Sequence, residues 1–121
     1  MLLRHLALNV RDPQRSSEFY LRTIGLAGEA HPEPWGCRVK LPDGFMLALI
    51  QGDPLPTDCA DRVHFGCALA TPDAARAVRE RLRGAGVREI EWEDAEVEEG
   101  YVGVKVSDPD GYVVELYYDV S

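Results

Sequence analysis

The chain has 121 residues, with 13 lysines and arginines against 21 aspartates and glutamates, which gives a formal net charge of −8. A chain of this length forms one compact domain that buries roughly two-thirds of the surface exposed by its unfolded form, so any metal is expected to be functional rather than architectural. The negative charge disfavours nucleic acid and anionic membranes as partners, because both are bound mainly through lysine and arginine.

The cysteines and the N-terminal residues indicate in which cellular compartment the protein is expected. Cys37, Cys59 and Cys67 are an odd number and contain no C-x-x-C pair, so they are interpreted as reduced thiols. Arg4 and His5 interrupt the N-terminal apolar stretch, so neither a signal peptide nor a membrane span of about 18 residues is predicted. We expect a cytoplasmic protein.

The first predicted elements are a strand and a helix. Residues 4–10 (RHLALNV) alternate in the manner of a strand with one buried face. Asp12 before Pro13 is a helix-start signal, because the carboxylate can cap the first turn and proline is favoured there. The helix is predicted from Pro13 to about Ile24, and Gly25 is predicted to end it.

The same two elements recur in the second half of the chain. Residues 62–70 (RVHFGCALA) are predicted to form a strand, and Thr71 before Pro72 predicts a helix that runs to Arg83, with Gly84 as its stop. The histidines of the two strands and the prolines of the two helices are both separated by 59 residues. Strand and helix are therefore in the same register in both halves, which indicates an internal repeat.

Each half then closes on an Asp-Gly turn followed by an apolar strand. The turns lie at residues 43–44 and 110–111, an offset of 67, so the second half carries eight extra residues between helix and turn. The surplus lies around residues 88–100, where seven of the eleven residues in 89–99 are acidic. This acidic run is interpreted as a solvated hairpin.

The sequence predicts an α+β fold of two β-α-β-β-β modules in one domain. Module one is assigned to residues 1–51, module two to residues 62–121, and residues 52–61, with one glycine and two prolines, to a linker. One helix can cover only one face of a four-stranded sheet. The other faces of the two sheets are therefore expected to enclose a cleft.

Strand parity places three ligand-type side chains on the faces expected to line this cleft. His5 has the parity opposite to the leucines of its strand, and His64 occupies the same position in module two. Glu115 is the carboxylate of an apolar last strand, at the position where module one has Ala48. Two imidazoles and one carboxylate favour a divalent cation with open coordination positions.

These residues also have structural interpretations. A strand histidine can be a packing residue, and the two histidines can be an inherited feature of the repeat. A glutamate among apolar residues can be paired with an arginine instead of a metal, for which Arg4 and Arg38 are candidates. The residues alone leave these alternatives open.

The pattern RHLALNVRDPQRSSEFYLRTIGL, its counterpart from Val63 to Gly84 and the DPDGYVVEL ending resemble the vicinal-oxygen-chelate superfamily. This superfamily includes glyoxalase I, fosfomycin-resistance transferases, extradiol dioxygenases, methylmalonyl-CoA epimerase and bleomycin-binding proteins. The resemblance covers nearly the whole chain and implies two modules that form a half-barrel cleft. It also implies a homodimer, in which modules of two chains often form the clefts together.

The resemblance implies a metal site. The family's ligands fall on His5, His64 and Glu115, for a divalent Fe, Mn, Zn, Ni or Co ion. The fourth ligand of glyoxalase I and of the epimerase falls on Ala48, which counts against both activities, so members with three ligands fit better. Lys105 stands where the fosfomycin transferases have a tyrosine, which counts against that reaction.

Parity and the resemblance also predict residues around the ion. Glu115 and Lys105 are assigned catalytic roles, the lysine as a base or as a partner of an anionic substrate. The wall of the substrate pocket is predicted to contain Asn9, Trp35, Ala48, Tyr101, Lys105 and Tyr117. A solvent-facing lysine and core aromatic residues are the alternatives.

The leading hypothesis is a metalloenzyme whose small substrate chelates the ion through two neighbouring oxygens, in a lyase, isomerase or dioxygenase reaction. The alternative is a metal-free protein that sequesters a drug or natural product, against which the retained ligand set argues. A structural homodimer without chemistry is the third hypothesis. In each case no nucleic acid and no membrane partner are expected.

Overall fold

The computed structural model describes residues 1–56 and 63–121. Cys59 and the second half of the predicted linker lie outside the described residues, as does Arg62 at the start of the second repeat. The chain forms two compact units, Met1–Leu55 and Pro56–Ser121.

Each unit has the element order predicted from the repeat. The first unit contains β1 (His5–Val10), α1 (Pro13–Glu18), a π-helical segment (Phe19–Ile24), β2 (Glu29–Glu33), β3 (Gly36–Lys40) and β4 (Met46–Gln51). The second unit contains β5 (His64–Ala68), α2 (Pro72–Gly84), β6 (Glu89–Ala95), α3 (Glu96–Glu99), β7 (Tyr101–Ser107) and β8 (Val113–Asp119). The prediction of two β-α-β-β-β modules is confirmed.

The two sheets have the same topology. Their strand orders are β1-β4-β3-β2 and β5-β8-β7-β6, and in each the first and last strands of the unit pair in parallel while the other pairs are antiparallel. Ala7 lies opposite Ala48 in the first sheet, and Gly66 lies opposite Glu115 in the second. The separations of 59 and 67 residues in the sequence therefore correspond to equivalent positions in the two sheets.

One face of each sheet is covered by its helix. Helix α1 packs on β3 and β4, and α2 packs on β7 and β8. The alternate residues of the strands on that face are buried apolar side chains, which remove hydrocarbon surface from water. The most deeply buried apolar side chains of strands and helices together are Val10, Tyr20, Val39 and Leu49 in the first unit and Leu82, Val102, Val104, Val106, Val114 and Leu116 in the second.

Both predicted helix starts are confirmed by side-chain caps. The Asp12 carboxylate accepts hydrogen bonds from the backbone N–H groups of Gln14 at 3.1 Å and Arg15 at 3.2 Å. Thr71 Oγ1 accepts one from the backbone N–H of Ala74 at 3.1 Å. These caps satisfy backbone donors that have no partner within the helix.

The helix ends differ in part from the prediction. The first helix spans the predicted range and ends at Gly25, which has a left-handed φ of 90°, but it changes to π-helical geometry at Phe19. The predicted stop at Gly84 is wrong, because that residue is still helical. The chain turns instead at Gly86, with a φ of 76°, whose N–H donates to the carbonyl of Arg83 at 3.1 Å.

The acidic run forms regular structure. Strands β6 and β7 make an antiparallel hairpin, and the four-residue helix α3 connects them. The pairing contains an irregularity between Glu89 and Glu91. No helix within residues 1–56 and 63–121 has the length and apolar character needed to cross a membrane.

Candidate metal centre

A row of paired positions crosses the face of the second sheet that is opposite α2. Gly66, Glu115, Lys105 and Glu91 lie side by side on β5, β8, β7 and β6. Residues opposite each other in neighbouring strands project from the same face, so these side chains share one surface. His64 lies on the same face because it is two residues from Gly66.

Glu115 has two polar partners on this surface. The phenol O–H of Tyr101 donates a hydrogen bond to Glu115 Oε1. The other oxygen, Oε2, lies 3.5 Å from Nε2 of His64. Only 18% of the Glu115 side chain is exposed. The two oxygens therefore have separate neighbours, one a hydroxyl donor and the other an imidazole nitrogen.

Two glycines make room for the tyrosine rings beside Glu115. A Cβ atom on Gly103 would lie 2.6 Å from Cζ of Tyr101, and one on Gly66 would lie 2.8 Å from Cε1 of Tyr117. Both distances are too short for real side-chain atoms, so each ring lies across bare backbone. The two rings also stack on each other, with centroids 6.4 Å apart and planes inclined by 21°.

The surroundings of Tyr101 keep its hydroxyl protonated. Burial, followed by the hydrogen bond to Glu115 and the charges of nearby carboxylates, raises the pKa of the Tyr101 phenol above its ordinary value. All three causes act in the same direction, since a phenolate would lose solvent, could not donate to Glu115 and would face negative charge. Tyr101 is therefore a hydrogen-bond donor across the physiological pH range.

Lys105 has an acidic partner on the same face. Its Nζ lies 3.5 Å from Oε2 of Glu91, and 27% of its side chain is exposed. This is an ion pair at the rim of the surface. The burial on which the role of base was predicted is therefore incomplete.

The row borders an open concavity of about 490 Å³ in the second unit. Four carboxylates, one ammonium group, one imidazole and two hydroxyl groups line it, which makes it predominantly acidic. The lining residues are His64, Glu93, Glu99, Tyr101, Lys105, Glu115, Asp119 and Ser121. Tyr117, predicted for the pocket wall, is not in this lining and supports Tyr101 by stacking.

The acidic residues of the lining are functional candidates that sequence reasoning missed. Glu93 comes from β6, Glu99 from α3 and Asp119 from the end of β8. The available signal was the spacing of Glu91 and Glu93, which puts two carboxylates on one strand face, whereas the irregularity before Glu91 turns Glu89 toward α2.

The remaining predicted site residues lie in the first unit. His5 and Asn9 are exposed on β1, Ala48 is buried on β4, and Trp35 lies in the turn between β2 and β3 with 39% exposure. The sequence correctly predicted which residues of β1 face away from the core, because the residues that alternate with His5 are more deeply buried.

The arginines considered as partners of Glu115 have other contacts. Arg4 donates to the backbone carbonyl of Asp43 in the turn before β4. Arg38 lies 3.4 Å from Oε1 of Glu33 on the neighbouring strand. These contacts lie within the first unit, and a pairing of Glu115 with Arg4 or Arg38 stays an alternative drawn from the sequence.

The cysteines that the structure describes are not ligands in this site. Cys37 is buried, and both Cys37 and Cys67 are free thiols. Burial raises the pKa of the Cys67 thiol to about 11. A thiol with such a pKa stays protonated and is a poor metal ligand.

Over residues 1–56 and 63–121, neither unit contains a group of three or more histidine, cysteine, aspartate or glutamate side chains that could hold a metal ion. The pair formed by His64 and Glu115 is therefore the part of the predicted ligand set that the second unit itself assembles.

Solved structures with the same fold extend over nearly the whole chain. A possible glyoxalase from Bacillus cereus is 23% identical, with 96% of this chain and 97% of that chain covered and a TM-score of 0.76. A fosfomycin resistance protein from Listeria monocytogenes is 17% identical, with 99% and 94% covered and a TM-score of 0.81. A glyoxalase/dioxygenase from Nostoc punctiforme is 22% identical, with 99% and 92% covered and a TM-score of 0.71.

Curated proteins gave no match to this sequence. The family model for the Glyoxalase/Bleomycin resistance protein/Dioxygenase superfamily, in contrast, matches residues 2–116. The resemblance stated from the sequence is confirmed: the chain belongs to the Glyoxalase/Bleomycin resistance protein/Dioxygenase superfamily.

Proposed function

We propose that the chain binds a divalent cation through His64 and Glu115, with His5 as the third protein ligand, and that the ion holds a small substrate through two neighbouring oxygens. The approach of His64 Nε2 to Glu115 Oε2 carries this proposal. His5 enters it through the repeat and the family resemblance, which assign a ligand to the equivalent histidine of module one.

The geometry of the pair fits a metal ion. With metal–ligand bonds of about 2.1 Å, two ligands of a tetrahedral ion lie about 3.4 Å apart. The separation of 3.5 Å between His64 Nε2 and Glu115 Oε2 is close to this value. An imidazole nitrogen and a carboxylate oxygen suit Zn, Mn, Fe, Co and Ni.

The side chains of the second unit have separate roles in this proposal. When bound, a divalent cation supplies Lewis-acid polarisation of substrate oxygens. Glu115 and His64 hold the cation, while Lys105 contacts a negatively charged substrate oxygen and orients it. Ala48 provides no fourth ligand, so coordination positions stay open for the substrate. These roles are compatible with a lyase, an isomerase or an extradiol-type dioxygenase.

The proposal is tested by metal content and metal affinity. Protein purified without chelator should contain one divalent ion per chain, and titration calorimetry of the metal-free protein should show one site. His5→Ala, His64→Ala and Glu115→Gln should each weaken binding by more than about 100-fold, because each removes a direct ligand.

A matched control accompanies these variants. Glu98→Gln removes a carboxylate from the exposed side of α3 without touching the concavity. It should bind like the wild type. A wild-type protein that takes up no divalent ion would refute the proposal and favour the metal-free binding protein instead.

We propose further that the protein works as a cytoplasmic homodimer. The reduced cysteines support the compartment, and the family resemblance supports the dimer.

A further inference from the structure

We propose that Tyr101 is a positioning residue of the metal site: by donating to Glu115 Oε1 it favours binding of the ion through Oε2. This inference rests on the proposed function. It goes beyond it by assigning a role to a residue that is not a ligand and by stating how the carboxylate binds.

The contact is unusual for two strands in this register. Tyr101 pairs with Asp119 across β7 and β8, whereas Glu115 pairs with Lys105. The two rows are four residues apart, which is about 13 Å along a strand. Tyr101 and Glu115 can meet only if their side chains lean toward each other along the sheet.

Gly103 makes this approach possible. It is the residue between Tyr101 and Lys105 on the same face of β7, and a Cβ there would lie 2.6 Å from Cζ of Tyr101. Any other residue would therefore block the path of the ring. Tyr117, which lies opposite Gly103 on β8, stacks on the Tyr101 ring from the side. The tyrosine is thus fixed by its neighbours.

The consequence concerns how the carboxylate coordinates. A free carboxylate can bind a cation through one oxygen or through both. The hydroxyl of Tyr101 occupies Oε1, while Oε2 lies on the side of His64. The hydrogen bond therefore favours coordination through Oε2 and holds the carboxylate in one orientation before an ion arrives. Hydrogen bonds of this kind to a ligand typically contribute 10- to 100-fold, roughly, in metal affinity.

The test is the metal affinity of Tyr101→Phe, with Tyr118→Phe as the matched control. Tyr118 lies on β8 with the opposite parity and is not in the lining of the concavity. Tyr101→Phe should bind Zn²⁺ and Co²⁺ about 10- to 100-fold more weakly than the wild type. Its Co²⁺ form should also show weaker visible absorption, because the second oxygen becomes free to raise the coordination number. Tyr118→Phe should change neither quantity.

A second variant tests the same contact without removing the phenol, in case Tyr101→Phe does not fold. Gly103→Ala retains the phenol but displaces the ring from the backbone, so it should weaken metal binding in the same direction as Tyr101→Phe. Circular dichroism of each metal-free variant shows whether the fold is intact. Only folded variants are compared.

The outcomes separate the two proposals. If His64→Ala and Glu115→Gln lose the ion while folded Tyr101→Phe and Gly103→Ala bind it like the wild type, the positioning role is refuted and the metal site stands. If the wild type itself binds no divalent ion, both proposals are refuted. Weaker binding with an altered Co²⁺ spectrum in the Tyr101 variant supports the positioning role.

Discussion

Within the second unit, as far as the structure describes it, the polar side-chain contacts of Glu115 are with a tyrosine and a histidine rather than with an arginine. Its oxygens meet a neutral hydroxyl and an imidazole. An arginine would neutralise the carboxylate, whereas a hydroxyl only stabilises it. In the proposed site, the negative charge of Glu115 is therefore available to a cation. An arginine partner, the alternative drawn from the sequence, would instead make Glu115 a structural carboxylate.

The contact between Tyr101 and Glu115 could not be read from the sequence, although its components were visible. Strand parity puts Tyr101, Gly103 and Lys105 on one face of β7. It does not tell in which direction along the strand the tyrosine ring points. A tyrosine two residues before a glycine, on the strand next to a lone glutamate, is the signal that could have indicated this contact.

The tight space at Gly66 predicts the effect of an added methyl group. Gly66→Ala should lower the free energy of unfolding by about 1–3 kcal/mol, because the new Cβ would overlap the Tyr117 ring, whose Cε1 lies 2.8 Å away. Urea unfolding measures the change.

A glycine elsewhere provides the control for this substitution. Gly84 has no atom within 4 Å of an added Cβ and lies in α2, so Gly84→Ala should raise the free energy of unfolding by about 0.5–1 kcal/mol. In Gly66→Ala combined with Tyr117→Ala, the cost of the methyl group should disappear. An equal cost with and without the ring would contradict the steric explanation.

Among the elements, α2 and the acidic strand β6 are joined by arginine–carboxylate pairs. Arg79 Nε donates to Glu89 Oε1 at 2.7 Å and its guanidinium lies 4.5 Å from the centre of the Trp92 ring. Arg76 Nε donates to Asp94 Oδ2 at 2.8 Å. Several acidic residues of the run are thus partnered rather than simply solvated. The pairing fixes the outer strand of the sheet to its helix.

These pairs predict a loss of stability in acid. The hydrogen bond from Arg79 lowers the pKa of Glu89, and the hydrogen bond from Arg76 lowers the pKa of Asp94. Because each pKa is lower in the folded chain, the pairs stabilise the fold above the ordinary values of 4.5 and 3.8. That stabilisation is lost as the pH falls through the folded-state pKa values.

Urea midpoints at about pH 6 and about pH 3 measure this dependence. The double variant Glu89→Gln and Asp94→Asn should be less stable than the wild type at the higher pH and should lose less on acidification. Glu98→Gln, whose carboxylate is exposed on α3, should follow the wild type. An equally steep decline in the double variant would show that other carboxylates control the acid response.

Much of the element order followed from local signals in the sequence. Asp12-Pro13 and Thr71-Pro72 marked the helix starts, and the constant offset of 59 residues gave equivalent strands. The ends were harder to predict, because Gly84 and Gly86 are both plausible stops by residue type. Only the path of the chain after the helix decides which of them adopts a positive φ, and Gly86 does so.

At the scale of the whole molecule, the proposed homodimer is tested by mass and by mixing. Sedimentation equilibrium should give twice the mass of the chain, and a monomer that still binds one ion per chain would contradict the dimer. His5→Ala and Glu115→Gln proteins are then mixed and allowed to exchange subunits. If His5 and Glu115 of one site belong to different chains, metal binding should return to about a quarter of the wild-type level. No recovery means that both ligands belong to the same chain.

The divergence of the two repeats also bears on how many ions the proposed site can hold. The row of the first sheet equivalent to Gly66, Glu115, Lys105 and Glu91 reads Ala7, Ala48, Arg38 and His31. An alanine and an arginine there cannot replace a coordinating carboxylate. For the proposed site, the module has been duplicated without its coordinating carboxylate, so we expect one cation per polypeptide rather than two.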